Sequence, residues 1–550
     1  MTETAGGAIP AERSGGPPSI AEFDHSFLPT IEQGCREFRD EVCVVFGAET
    51  YTYGEVDELS ARIARALAAR GFGRGMKGAI YSLNSALAFI AALGLLRAGG
   101  TWIPVNPRNS ERDNVEILVR FGCEALFFQE AFREPAAEAR EKLGELRVAV
   151  SLGGASPAGG SSQGETLDDF IAGVPPEAPE VEMKGSDILT IPMTGGTTGL
   201  PKGVMLSHRN MLAIEYAIRT RYAAAQRPVI LCAAPMTHVG GRIALTSMTS
   251  GARFVILEKV DLQVILRTIE KQRITHFFLP PTAIYSLLDQ PNLDDCDLSS
   301  LESLSYGSAP MSLTRLKQAL RRFGPIMRGG FGQTECPMFI AGLPQEDHYE
   351  DRDPSSGKLA PDRILRSVGR STVISEVAIM DDDGELLGPG ELGEIVVKGP
   401  NVSEGYYGDP EETAKIRRNG WHLTGDIGVL DEDGYLTIVD RKKDMIITGG
   451  FNVYSTEVEQ ALLAMPGIAL AAVIGVPSER WGEEVRAVVV PAAGAELSEA
   501  EVIAAAKERL GGVKAPKNVE FADDLPRTPV GKIDKRSLRE PYWAGRTRRV

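Results

Sequence analysis

From Tyr51 onward the chain alternates amphipathic helical stretches, such as residues 56–69, with short apolar runs, such as residues 79–83, and this alternation restricts it to few architectures. A helix with one apolar stripe must lay that stripe on a sheet, and a short run without polar interruptions is a strand covered on both faces. The expected fold is α/β, with a large multi-layer N-terminal domain built on mixed sheets. At 550 residues the chain exceeds the usual domain of about 100–200, so more than one cooperative unit is required. Hydrophobic residues at 43% and charged residues at 24% supply those cores and exclude disorder or coiled coil as a description of the whole.

The texture changes near Asp431. DEDG (431–434) signals a turn, and YLTIV, the charged run DRKKD (440–444) and IIT follow. Beyond it the pattern predicts strands over 445–448, 470–476, 485–490 and 518–521 and helices over 457–464 and 499–510. Thr456 with Glu459 and Ser498 with Glu501 have capping-box spacing at the two helix starts. The expected division is a disordered leader over 1–20, a large domain over 21–442 and a small, mobile α+β domain over 443–550. The Gly/Ser-rich segment 153–164 and the irregular, charged segment 345–362 read as surface excursions. The most apolar stretch, 85–96, falls short of the ~20 residues that cross a bilayer and reads as a buried helix, so no transmembrane segment is expected.

A net charge of −16 repels phosphodiester backbones and anionic membranes, which excludes nucleic acid as an expected partner and requires a local cluster of donors for any phosphate-bearing substrate. The six cysteines lack CxxC or zinc spacing, and the N-terminus lacks a basic start followed by an apolar run; both point to a reduced, cytoplasmic setting. Three motif matches fail on context. The GxGxxG at 73–78 leaves a helix and enters a strand, the reverse of a dinucleotide turn. The GxSxG at 160–164 sits in the low-complexity loop, and no GxxxxGK[ST] occurs.

One loop carries chemistry. TGGTTGLPKG (194–203) lies between the apolar runs DILTIPM and VMLSH and is followed by a helix from about Asn210. Gly195, Gly196, Gly199 and Gly203 let the backbone approach a ligand, while Thr194, Thr197, Thr198 and Lys202 supply donors suited to phosphate oxygens. The bland alternative is a Gly-rich hairpin, which has little use for so many hydroxyls beside a lysine.

This loop resembles the phosphate-loop signature of the adenylate-forming superfamily, which includes acyl-CoA synthetases, adenylation domains and luciferases. Further matches follow in family order: FGQTE (331–335), WHLTGD (421–426), the hinge-like DRKKD (440–444) and PRTPVGKIDKRSLR (526–539). The resemblance implies ATP, Mg²⁺ and coenzyme A as co-substrates or cofactors and a carboxylic acid as substrate. A carboxylate attacks the α-phosphorus of ATP, anion on anion, and pyrophosphate leaves, so charge neutralisation is the central requirement. By the resemblance, residues 194–202 cradle the triphosphate, Thr334 holds a phosphate oxygen and Glu335 holds Mg²⁺. Phe331, with Gly330 and Gly332 beside it, lies against the adenine; Asp426 accepts the ribose hydroxyls and Arg441 donates to the same sugar. Lys532 matches the catalytic lysine and Lys443 the hinge residue about which the small domain turns between adenylation and thioester formation. Four positions depart from the family pattern: Gly195 stands for the usual Ser, Phe331 for Tyr, Asp440 for Gly and Ser455 for Pro. The third puts the flexibility of the hinge in question.

The acyl side is less legible. THVGG (237–241) resembles the segment lining the carboxylate entry, which makes His238, Gly240 and Gly241 candidate pocket residues. SYGSAPM (305–311) resembles the turn that borders acyl pocket and adenine, where the small Gly307, Ser308 and Ala309 leave room for a long or bulky lipid-like acid. Neither segment holds a Lys or Arg to pair with a second carboxylate. The expected activity is that of a free-standing ATP-dependent acyl-CoA synthetase working through an acyl-AMP; the alternative is a stand-alone ligase that delivers its acyl group to a carrier protein. A homodimer is one assembly the resemblance allows.

Overall fold

The computed structural model describes residues 18–153, 165–194, 201–221, 227–528 and 532–544. Most of the expected leader and nearly all of the 153–164 loop lie outside these residues. Within the last three residues expected to belong to the leader, Pro18 is buried and the Ser19 backbone N–H donates to Glu22 at 2.9 Å at the start of the 3-10 turn Ile20–Phe23.

Two large mixed sheets form the body of the molecule. In the first, the strands Val42–Phe46, Arg253–Ile256, Val229–Cys232, His276–Leu279, Ser303–Gly307 and Met327–Phe331 run parallel, with antiparallel strands at either edge. In the second, Thr101–Val105, Lys77–Tyr81, Ala125–Phe128 and Val148–Ser151 are parallel neighbours. The helices Tyr53–Ala69 and Ala86–Arg97 belong to the core that unites the sheets. The second is the predicted apolar stretch: Ser85 caps it by accepting from the Ala88 N–H, and burial on nearly every side explains its lack of a polar face. Gly94 lets it approach its neighbour, since a Cβ there would stand 2.6 Å from Cβ of Ile63.

A third, antiparallel sheet contains Glu376–Met380, Gly393–Lys398, Trp421–Leu430 and Leu436–Arg441. A fourth contains Ile446–Thr448, Phe451–Val453, Gly482–Pro491, Ile468–Ser478 and Asn518–Phe521, covered by the helices Ser455–Leu463 and Glu499–Lys514. The sheets change between Arg441 and Ile446, in the predicted charged run.

Two local expectations are corrected. The Ser498–Glu501 capping box forms, but Thr456 and Glu459 make none: Thr456 Oγ1 donates to Asp440 at 3.2 Å, and Glu459 accepts from the Val473 N–H at 2.8 Å and pairs with Lys535 at 2.7 Å. Tertiary partners outbid the local motif. The segment 345–362 is not wholly a surface excursion, because Asp347 and His348 are buried; His348 contacts the Tyr306 hydroxyl at 2.9 Å, and Asp347 accepts from the Tyr435 hydroxyl at 2.9 Å.

Candidate active site

A cavity of about 3030 Å³ opens at the C-terminal ends of the parallel strands of the first sheet and extends to the third and fourth sheets. This is where open α/β sheets bind ligands. Thr194 and Lys202 reach it from paired strands, Met193–Thr194 and Lys202–Ser207, in which Lys202 stands opposite Thr194. Gly195, Gly196, Thr197, Thr198 and Gly199 lie outside the described residues. The helix after the second strand begins at His208, slightly ahead of the expected start.

The next wall is the adjacent parallel strands Ser303–Gly307 and Met327–Phe331 with the turns that follow them. Gly307 is required to be glycine, since a Cβ would stand 2.4 Å from the Gly330 carbonyl oxygen. Ser308 then takes a left-handed φ of +68°, a conformation that costs a non-glycine residue energy and recurs at ligand sites. Ala309, Gly330, Phe331 and Gly332 also line the cavity. Phe331 belongs at the same time to an apolar cluster with Cys336, Ile340 and Ile395, so it packs into the core while also lining the cavity.

Thr334 and Glu335 follow. The Tyr406 hydroxyl donates to Glu335 Oε1 at 2.7 Å, and Lys202 Nζ stands 4.9 Å from the centre of the Tyr406 ring while pairing with Glu412. Lys202 is thus held against the cavity wall by a carboxylate. Its two lysine partners, Lys202 and Lys415, hold Glu412 down to about 2.

Asp426 and Arg441 are opposite one another on antiparallel strands, with Arg441 Nε 3.3 Å from Asp426 Oδ1. Asp426 is 5% exposed, and desolvation raises its pKa against the opposing pull of Arg441, Lys532 and Lys443. A relay of side chains holds it. Arg417 Nη1 lies 2.6 Å from His422 Nδ1, His422 Nε2 lies 3.1 Å from Gln333 Oε1, and Gln333 Nε2 donates to the Thr424 carbonyl at 3.1 Å and to Asp426 Oδ2 at 3.4 Å. Because Arg417 can only donate, His422 carries its proton on Nε2 and passes a donor to Gln333; burial, with Arg417 second, keeps that imidazole neutral by lowering its pKa to about 3. Gln333 and His422 sit inside FGQTE and WHLTGD, so the motifs contained them without revealing their work. Tyr406 and Arg417 carry no comparable signal.

Lys532 lines the same cavity. It is half-buried, and desolvation, with Arg441 next, lowers its pKa to about 8 against the attraction of Asp426 and Glu335. The turn that presents it is closed by the Thr528 N–H donating to the Lys532 carbonyl at 2.7 Å and the Lys532 N–H donating to Thr528 Oγ1 at 3.2 Å. His238 shares the cavity; burial first, then the cations Arg242, Lys532 and Arg108, bring its pKa down to about 4. Gly240 lines the cavity, whereas Gly241 is a packing residue: a Cβ there would meet the Met236 carbonyl oxygen at 2.1 Å. The acyl wall also holds Arg242, buried at 9% exposure and immediately beyond the THVGG segment.

Where the third and fourth sheets meet, Lys443 lines the cavity and burial lowers its pKa. The departures Asp440 and Ser455 turn out to be partners: Asp440 accepts from the Ser455 N–H and from Ser455 Oγ at 3.0 Å. Lys535 donates to Ser455 Oγ at 2.8 Å, and Arg539 pairs with Asp444 at 3.1 Å.

One cavity thus brings together Thr194, Lys202, Glu335, Asp426, Arg441 and Lys532, residues of all the motifs that resemble the adenylate-forming superfamily. Residues 31–407 match the model of the AMP-binding enzyme family, and residues 457–532 match the AMP-binding enzyme C-terminal domain. The chain is 34% identical over 525 residues to a medium/long-chain-fatty-acid–CoA ligase of Mycobacterium tuberculosis, covering 94% of this chain and 90% of that protein. It is 35% identical over 501 residues to a feruloyl-CoA synthase of an Amycolatopsis species, covering 90% and 95%. The crystal structure of ATP-bound MatB from Rhodopseudomonas palustris superposes with a TM-score of 0.82 at 30% identity, covering 93% of this chain and 99% of that one. The chain belongs to the AMP-binding, adenylate-forming enzyme family and groups within it with the acid–thiol ligases.

Proposed function

We propose that this enzyme activates a lipid-like carboxylic acid through an acyl-AMP and transfers the acyl group to coenzyme A with release of AMP. The observation that carries the reading is that Lys532, half-buried, lines the same cavity as Asp426 and Glu335 and lies within their electrostatic reach. In the first step an oxygen of the substrate carboxylate forms a bond to the α-phosphorus of ATP as the bond to pyrophosphate breaks. Lys532 offsets the charge of both anions where they meet, Asp426 accepts from the ribose, and Gly307 and Phe331 form the adenine slot. In the second step the thiol sulfur attacks the acyl carbon, AMP leaves with the bridging oxygen, and the thiol proton is released.

Glu335 suits a divalent ion. Among the described residues no three ligating side chains converge, and Mg²⁺ takes one or two protein carboxylates with phosphate oxygens and water completing its shell. When bound it would neutralise the leaving charge. Thr334 beside it would position a phosphate oxygen. The small Gly307, Ser308 and Ala309 and the cavity's extent support a sizeable acid, and the six free cysteines fit a reducing cytoplasm. Relatives that join fatty and feruloyl acids to coenzyme A support the thiol acceptor over a carrier protein. The test supplies ATP, Mg²⁺, an acid panel and coenzyme A and reads both pyrophosphate and thioester. Both products are expected; pyrophosphate without thioester rejects coenzyme A, and neither product rejects the adenylation itself.

A further inference from the structure

We propose that Arg242 receives a second carboxylate on the acid substrate, so that the enzyme selects dicarboxylic acids, one end reacting beside Lys532 and the other held by the guanidinium. The inference rests on the acyl-adenylation reading and names the substrate class of that site. Arg242 lies in the helix Val239–Ser247, one turn beyond His238, at 9% exposure and on the cavity wall. Among the described residues its guanidinium has no hydrogen-bond or ion-pair partner, and its Nε is buried without one.

Three other arginines that line the cavity are engaged, whereas Arg108, also on its wall, forms no ion pair among the described residues. Arg219 pairs with Glu215 at 3.3 Å, Arg227 with Glu41 at 2.5 Å, and Arg328 donates to Gln345 at 3.1 Å. No carboxylate occurs among the described cavity-lining residues from Ile218 to Met311, so nothing on this side answers the charge. Burial alone lowers the Arg242 pKa, to about 10, which leaves it cationic at neutral pH.

A buried, unanswered guanidinium is a costly way to fill space that Leu or Met would fill without penalty. Its planar set of donors matches a carboxylate in two parallel hydrogen bonds. Arg242, Lys532 and His238 line the same cavity, and both cations lie within electrostatic range of the one imidazole. A substrate with an acidic group at each end would satisfy both.

The test measures pyrophosphate release for matched straight-chain series: a monoacid, the diacid of equal length and the monomethyl ester of that diacid. Thermal unfolding is recorded with each acid and ATP. For at least one length, kcat/KM for the diacid is expected to exceed that for monoacid and ester by about tenfold or more, mainly through KM. Arg242→Met should lower the diacid about tenfold more than the monoacid, with Arg242→Lys retaining part of the preference. A wild-type enzyme that favours monoacid or ester at every length overturns the proposal without any variant, as does an Arg242→Met enzyme in which all acids suffer alike. If no acid yields pyrophosphate, the adenylation reading falls; the diacid's thermal shift, present in wild type and lost in Arg242→Met, then still decides the arginine, and its absence rejects it.

Discussion

On the nucleotide side of the cavity each principal charge has a partner: Asp426 faces Arg441, Tyr406 donates to Glu335, and Lys202 holds Glu412. On the acyl side Arg242 is buried with no partner among the described residues. In the proposed reading the two walls serve ligands of different constancy. A nucleotide is the same at every turnover, so its contacts are set in advance by side chains that fix one another, which lowers the reorganisation needed in the transition state. Acids vary, and a counter-charge left open until the acid arrives makes specificity depend on the ligand itself.

The largest expected effect lies where the walls meet. Lys532→Ala should lower acyl-AMP formation by about 10²- to 10³-fold, the scale of deleting one preorganised donor, while ATP binding by equilibrium dialysis persists. A pyrophosphate-release assay on that variant with turnover near wild type would remove Lys532 from the chemistry and leave the two walls without a common centre.

The next effect is on pH. Lys532 is lowered to about 8, so it is cationic below that value, and kcat/KM for the free enzyme should fall about tenfold per unit above it. Stability moves the other way. Between about 8 and the ordinary 10.5 the unfolded chain binds the proton more tightly than the folded one, so this group's contribution to stability rises as pH rises through that window. A limb at about 8 without loss of fold, shifted upward in Lys532→Arg, would identify the lysine; a limb that tracked unfolding would reject it. His238, lowered to about 4, should add none between pH 5 and 8.

The sequence made the nucleotide wall legible because its chemistry needs fixed residue types at fixed spacing: Asp426 and Arg441 belong to motifs on consecutive strands that register then brings face to face. The layered fold and most elements after Asp431 were legible from periodicity, and Asn518–Phe521 falls where the pattern predicts it, but the short strand Phe451–Val453 and the helix Lys535–Trp543 were not foreseen. Hidden were the contacts joining segments far apart in the chain, such as Gln333 to His422 and to Asp426. Arg242 was missed for a related reason. It stands one residue past a recognised segment, and nothing in a linear pattern distinguishes an exposed arginine from one that the fold buries alone.

The smallest expected effect sharpens how the walls are brought together. Asp440 and Ser455 look like two separate departures in the sequence, yet they share two hydrogen bonds across the junction of the third and fourth sheets, and Lys535 ties Ser455 to Glu459. If the small domain must turn after adenylation, these contacts favour the arrangement that keeps Lys532 inside. The hydroxyl bonds two charged groups, Asp440 and Lys535, and a hydrogen bond to a charged group is worth about 1.5 kcal/mol or more net, or roughly tenfold in an equilibrium. Ser455→Ala keeps the backbone N–H bond and removes the hydroxyl, so it should leave acyl-AMP formation within about twofold and change thioester formation from preformed acyl-AMP by about five- to tenfold, upward if release of Lys532 limits that step. Single-turnover assays of the two half-reactions separate these rates. Equal changes in both would mean that the junction merely supports the fold, and that the polarity of this contact has no part in alternating the two chemistries.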